Sequence, residues 1–339
     1  MQVRVTGLRM RASPSTSADI IRSLDRGEVV RLRGGAPVSA DGYAWQEVID
    51  LDSRIGWVAM GDEAQPWLAT VPADPANSSL LLRLERACDA VELDTFDWRP
   101  AEVALSADGR FVFLGVVVRE LSPSGFAQVR RDALELGLLQ TSATYDLERR
   151  PDAPEGPGHG ACVNRFTLGD GPDKIVVKAA NWQGDEEEAL YLLPSPERKA
   201  LDALALHLLD AGAWLGPSGW SDPASRYVSG SYRFAIIAND GPTPSYVDAP
   251  PVAGAPWPFA GPIERFGEPV GAERCGYLDL GQAFETLRVM RQLGVHALAN
   301  EAEAAPLTLD KFGSGNFTTD AGWFSFWLTP RSPDGYPGC

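Results

Sequence analysis

Nucleophilic or metal chemistry in this 339-residue chain would have to be built on three histidines, His159, His207 and His296, and four cysteines, Cys88, Cys162, Cys275 and Cys339. His159 lies in the loop Gly156-Pro157-Gly158-His159-Gly160, just before Cys162, which invites a Cys-His nucleophile. A base so placed needs a third group to orient it, and no nearby residue supplies one. The loop is also no nucleotide cradle, because no strand and helix flank it in phosphate-binding order. His207 falls between Leu206 and Leu208 on a predicted helix and reads as structural. The three histidines share no helical spacing and the cysteines form no C-x-x-C pair, so zinc and haem attachment lack support. The chain has no G-x-S-x-G elbow. The acid run Asp185-Glu186-Glu187-Glu188 lacks the spacer residues that separate calcium ligands, and reads as a helix start or a solvated face. Glu187 with Asp170 or Asp173 makes a nominal carboxylate pair, but sequence does not set their separation. No catalytic residue, metal site or cofactor is assigned.

Net charge is −16, with 44% hydrophobic and 22% charged residues. That is an ordinary soluble composition, too long for one comfortable core. The acidic excess lies after the first seventy residues and repels phosphate backbones, so nucleic acid is not an expected partner. No run reaches the roughly 20 apolar residues of a membrane span. Met1-Gln2-Val3-Arg4-Val5 enters a strand without a secretory apolar region. The chain is then either cytoplasmic, with four reduced thiols, or an exported form whose signal has been removed. An even cysteine count in an exported protein suggests two disulfides with three connectivities open, of which Cys88–Cys162 and Cys275–Cys339 would each stay within one half of the body. A staple at the terminal Cys339 would tie down a chain end.

The elements that must position any site come in mixed order. Strands Val103–Ser106 and Phe111–Leu114 flank the turn signal Asp108-Gly109. A helix starts at Ser122 with Pro123 next, carries the stripe Phe126, Val129, Ala133 and Leu136, and stops at Gly137. A hairpin of Val163–Leu168 and Ile175–Lys178 follows. Then comes a helix capped by Ser195, with stripe Leu201, Leu204, Ala205 and Leu208, ending at Gly212. After a strand over Tyr232–Ile237, Asp279 and Gln282 form a capping box for a third helix with Ala283, Leu287 and Met290 inward. The chain closes on the aromatic strand Trp323–Leu328. Hairpins interspersed with single helices predict antiparallel sheets backed by helices, an α+β body. Residues 69–79 read as a linker and residues 239–269 as a proline-rich connection that cannot form a central strand. A sharper reading makes that connection a polyproline segment offering Trp257 and Phe259 to a partner.

The first seventy residues carry the most specific pattern. Leu8-Arg9-Met10-Arg11-Ala12-Ser13-Pro14-Ser15-Thr16 leads to Leu24-Asp25-Arg26-Gly27, then to Tyr43-Ala44-Trp45 and finally Gly56-Trp57-Val58. Short strands with turn signals at Gly27 and Asp41-Gly42 predict a small barrel. The order resembles the bacterial SH3 (SH3b) family from about Val5 to Leu68. Arg9 stands where a small polar residue is usual, and Ser13 where Gly is. The resemblance implies an SH3-like barrel that recognises cell-wall peptide or another extracellular ligand, with Tyr43, Trp45 and Trp57 as its surface. Trp45 and Trp57 also have a reading as core residues. Members are often joined to cysteine peptidases, but the Asp-Cys-Ser-type helix start of those enzymes is missing around Cys162. Arg274-Cys275-Gly276 and Thr329-Pro330…Cys339 weakly resemble exported actinobacterial and chloroflexi proteins of unknown function, which again implies export and a disulfide.

The expected layout is a barrel over 1–68, a linker over 69–79, an α+β domain over 80–238, the connection over 239–269 and an α+β subdomain over 270–339. The expected function is a non-enzymatic envelope binding or adaptor protein, with cell-wall polymer or another envelope protein as partner. The alternatives are a cell-wall hydrolase with an unrecognised site, and a subunit of a larger extracellular assembly using the aromatic strand as its contact.

Overall fold

A computed structural model describes residues 1–62, 64–71, 79–88, 101–114, 117–134, 136–154, 161–169, 172–182, 185–221, 225–226, 228–239, 254–293, 313–331 and 338–339. His159, Asp170, His296, most of the linker and residues 240–253 lie outside them. The described residues contain five α-helices: Pro123–Val129 (α1), Asp185–Tyr191 (α2), Pro196–Leu209 (α3), Ala211–Leu215 (α4) and Leu280–Gln292 (α5). The architecture is multidomain α+β: an N-terminal all-β SH3-like sheet, then mixed sheets with a few helices. The chain divides into two compact units, one of Met1–Pro75 with Arg226–Arg331 and Cys339, the other built from Ala76–Ser225.

In the first unit the barrel strands run in the order Ile20–Leu24, Leu8–Arg11, Ile55–Ala59, Tyr43–Ile49, Arg31–Leu32. Gln2–Val3 pairs with Leu68–Ala69 and brings the end of the segment back to its start. Alternation sends Leu8, Met10, Val48 and Val58 inward with Val3, Leu24, Val30 and Leu68. Asp41 and Gly42 both adopt positive φ, 51° and 82°, the geometry of a tight hairpin turn. Gly56 explains the first letter of its Gly-Trp-Val motif. A Cβ there would lie 2.8 Å from the Arg11 carbonyl oxygen and equally close to the Met10 and Ile21 side chains.

The same unit holds an antiparallel sheet ordered Gly313–Thr319, Gly322–Pro330, Ser231–Asn239, Glu273–Asp279, Glu268–Val270, with Ala255–Pro256 added in parallel at one edge. α5 covers one face with Ala283, Phe284, Leu287 and Met290, against Phe234, Ile236, Phe324 and Phe326. Its capping box is complete: the Asp279 carboxylate accepts from the Gln282 amide at 2.8 Å, and the Gln282 side chain accepts from the Asp279 amide at 2.9 Å. Val29, Ile49 and Leu51 of the barrel pack against this same core. The closing strand Gly322–Pro330 has both edges paired, so its backbone is not open to a further strand. Trp257 packs edge-on against Phe259, Phe266 and Phe317, which turns it into the core rather than toward a partner.

In the second unit the strands run Ala143–Tyr145, Ile175–Trp182, Ala161–Leu168, Leu80–Cys88, Val103–Ser106, Arg110–Phe113, Val117–Glu120, backed by α1, α3 and α4. Two helices depart from expectation. α1 stops at Val129 and continues as a π turn over Arg130–Leu134. The wider turn carries Leu136 off the stripe and leaves it exposed. The second helix does not end at Gly212: it breaks at Asp210, whose carboxylate accepts from the Ala213 amide and caps α4.

A disulfide joins Cys275 to Cys339 with Cα atoms 5.6 Å apart. Cys162 is also disulfide-bonded, and the strand register sets its Cα opposite Cys88.

Candidate ligand-binding cleft

Strand Tyr43–Ile49 carries Tyr43, Trp45, Glu47 and Ile49 on the outer face of the barrel sheet, opposite inward Val48. The neighbouring strand Leu8–Arg11 places Arg9 and Arg11 on the corresponding outer face. Where Tyr43, Trp45, Arg9 and Arg11 meet Trp67, the barrel opens a cleft of about 550 Å³. Ring centroids of Tyr43 and Trp67 lie 5.5 Å apart, and Tyr43 meets Trp45 edge-on at 6.3 Å. Trp45 is only 2% exposed, and its indole N–H donates to the Ala40 carbonyl at 2.9 Å, so it forms the cleft's back wall. Tyr43 and Trp67 are half-buried and form the accessible apolar surface.

The polar rim is fixed by short-range bonds. Asp62 accepts from the Ala64 and Gln65 amides at 2.9 and 2.8 Å, a turn that delivers Trp67, whose amide bonds the Met60 carbonyl. Asp41 Oδ2 accepts from the Ser15 hydroxyl, the Thr16 amide and the Thr16 hydroxyl at 2.7, 2.7 and 2.9 Å. That clasp ties the Pro14-Ser15-Thr16 loop to the Asp41-Gly42 turn and holds the Asp41 carboxyl below the usual aspartate range. Arg11 is buried and donates to the Ala18 carbonyl. Arg9 is exposed, and its guanidinium makes no hydrogen bond or ion pair among the described residues.

Of the three aromatics singled out from sequence, the cleft brings together Tyr43 and Trp45. Trp57 does not line it: half-buried, it sits opposite Glu47 and Arg11 in the strand register. Trp67 was missed, and its only signal was an aromatic after Pro66 at the end of the barrel segment. Cys162, being disulfide-bonded, offers no thiolate, and it stands mid-sheet. The acid run forms α2, with Glu188 buried and paired to Arg198 at 3.4 Å rather than turned to solvent. Among the described residues no group of three or more His, Cys, Asp or Glu side chains is placed to hold a metal ion. No described helix is long and apolar enough to cross a membrane.

Residues 6–63 match the bacterial SH3 domain family, typically a cell-wall binding module. No curated protein and no solved structure matches the chain. This domain and the Cys275–Cys339 disulfide are consistent with an envelope or extracellular protein. The strand order, the Gly56 contact and the family match together make residues 6–63 a bacterial SH3 domain, while the remainder of the chain is unassigned.

Proposed function

We propose that this protein is a non-enzymatic envelope binding protein whose SH3 domain holds a cell-wall peptide in the cleft walled by Tyr43, Trp45 and Trp67. The observation that carries the reading is the cleft itself: a concave, aromatic-lined pocket of peptide-sized volume on a domain of a wall-binding family. The α+β remainder, stapled by Cys275–Cys339, would offer a second surface to wall polymer or to another envelope protein. Trp57 is the comparison residue, since the sequence also singles it out and it lies outside the cleft.

The test is co-sedimentation of the purified protein with purified bacterial cell wall. Wild type should pellet, Tyr43→Ala and Trp67→Ala should pellet about tenfold less, and Trp57→Phe should behave as wild type, given roughly 1–1.5 kcal/mol per lost aromatic contact. Equal loss in all three variants, or no pelleting by wild type, would remove the proposal.

A further inference from the structure

We infer that Arg9 makes this cleft select ligands bearing a free carboxylate, a specificity that rests on the cleft being the ligand site. Arg9 projects from the same outer face as Arg11, two residues along one strand, and both line the cleft. Neither guanidinium is ion-paired among the described residues. Arg11 has spent a donor on Ala18 and is 8% exposed, so it contributes charge but little reach. Arg9 keeps its full fork of donors in contact with solvent.

Among the described residues the one carboxylate lining the cleft, Asp62, is already engaged by two backbone amides. Asp41 at the loop is likewise committed to Ser15 and Thr16. Among the described residues the cleft lining carries two guanidiniums, Arg9 and Arg11, against the single carboxylate of Asp62, so the lining is cationic within a chain of net charge −16. A guanidinium fork matches a carboxylate with two parallel bonds, which a neutral amide cannot reproduce. Tyr43 and Trp67 beside it supply an apolar wall for the residue preceding that carboxylate. The volume suits a short peptide of a few residues.

Two sources supply such a group, a peptide's C-terminus and an acidic side chain, and the test separates them. The intact protein would be titrated, following tryptophan fluorescence, with N-acetyl-Ala-Ala-Ala as free acid, as its C-terminal amide, and with N-acetyl-Ala-Glu-Ala amide. Wild type should bind one of the two acids about tenfold more tightly than the neutral amide, and the advantage should shrink as salt rises. Arg9→Ala should abolish that preference and Arg9→Lys should retain part of it. Arg9 is exposed, so an unchanged near-UV spectrum should show that its variants fold.

Equal affinity for acid and amide in wild type, absence of binding to all three peptides, or an acid preference that survives in Arg9→Ala overturns the inference. Sedimentation with purified cell wall separates this from the broader reading. Wall binding by wild type and Arg9→Ala alike leaves wall recognition standing and sinks the carboxylate role. Peptide-acid selectivity without wall binding does the reverse.

Discussion

Arg31 of the SH3 barrel and Glu285 of α5 form an ion pair at 2.6 Å, across 254 residues of chain that fold back into one unit. Arg288, one helical turn on, donates to both Glu285 and Ser53, and Arg291 pairs with Asp52. The hairpin tip after Ile49 is therefore committed to the chain's own helix. The cleft lies at the other end of the same strand, roughly 20 Å from Ile49 at the rise of an extended chain. Docking thus leaves the cleft clear of α5 and fixes the barrel on the C-terminal sheet.

The magnitudes decide what holds this contact. Arg31 and Glu285 are 51% and 30% exposed, and such pairs contribute about 0–1 kcal/mol. Leu51, packed with Val29 and Ile49 against the C-terminal core, carries more, about 1–3 kcal/mol for a largely buried aliphatic side chain. Urea unfolding should therefore show Leu51→Ala to be more destabilising than Glu285→Ala, and high salt should shift the wild-type midpoint little. The opposite ranking would mean that charge, not apolar burial, holds the barrel in place.

The Cys275–Cys339 bond closes a loop with a sequence separation of 64, worth about 4 kcal/mol in the chain-entropy account. Cys339 is also held by its backbone amide, which donates to the Tyr277 hydroxyl at 2.8 Å, while the Arg331 guanidinium stacks on the Tyr277 ring at 4.3 Å. These contacts are too exposed to hold a chain end alone. Cys339→Ser should lower the unfolding free energy by about 3–5 kcal/mol in denaturant titration. A drop below about 1 kcal/mol would show that the sheet is indifferent to the staple.

Local rules read from the chain located the helix starts well, because Ser122, Ser195 and Asp279 cap through their own side chains and need no tertiary partner. What the sequence concealed depends on neighbours. Strand Leu80–Cys88 sits between Ala161–Leu168 and Val103–Ser106 in the sheet, yet its Leu, Arg, Glu and Ala residues suit a helix equally well. Glu285 and Arg288 on α5 have the spacing of a solvent-facing ion pair, yet they also reach Arg31 and Ser53 of the barrel. In the cleft, Tyr43 and Trp45 were legible through their motif. Trp67 was not, since the Asp62 turn and the pairing of Gln2–Val3 with Leu68–Ala69 together swing it over Tyr43.

Asp41 gives the loop at Ser15 and Thr16 a pH dependence of definite sign. Its carboxyl is held low first by the Ser15 hydroxyl, then by the amide and hydroxyl of Thr16. A depressed carboxyl stabilises the fold fully above the ordinary aspartate range near ~3.9, and the contribution disappears as pH falls through the depressed value. In a carboxyl-resolved NMR titration Asp41 should titrate below free aspartate, and the Ser15 and Thr16 amide signals should move with it. Asp41→Asn should remove that acid-side transition from the loop signals and leave the loop more mobile at neutral pH. A midpoint at or above the free value would mean that the clasp does not form in solution.

Arg198 makes the sharpest stability prediction in the second unit. It is 1% exposed although it lies in the first turn of α3, where a sequence reading would leave it in solvent. Its guanidinium pairs with Glu188 of α2 and donates to the carbonyls of Ala180 and Leu193. Truncating one partner strands the other's charge in the interior, a loss of about 3–5 kcal/mol. Replacing both by apolar residues of similar volume removes the desolvation cost along with the attraction. Arg198→Met should therefore destabilise the protein severely, and Arg198→Met with Glu188→Met should recover much of that loss in the same denaturant assay. If the double variant were as unstable as the single, the carbonyls of Ala180 and Leu193, not Glu188, would be what Arg198 satisfies.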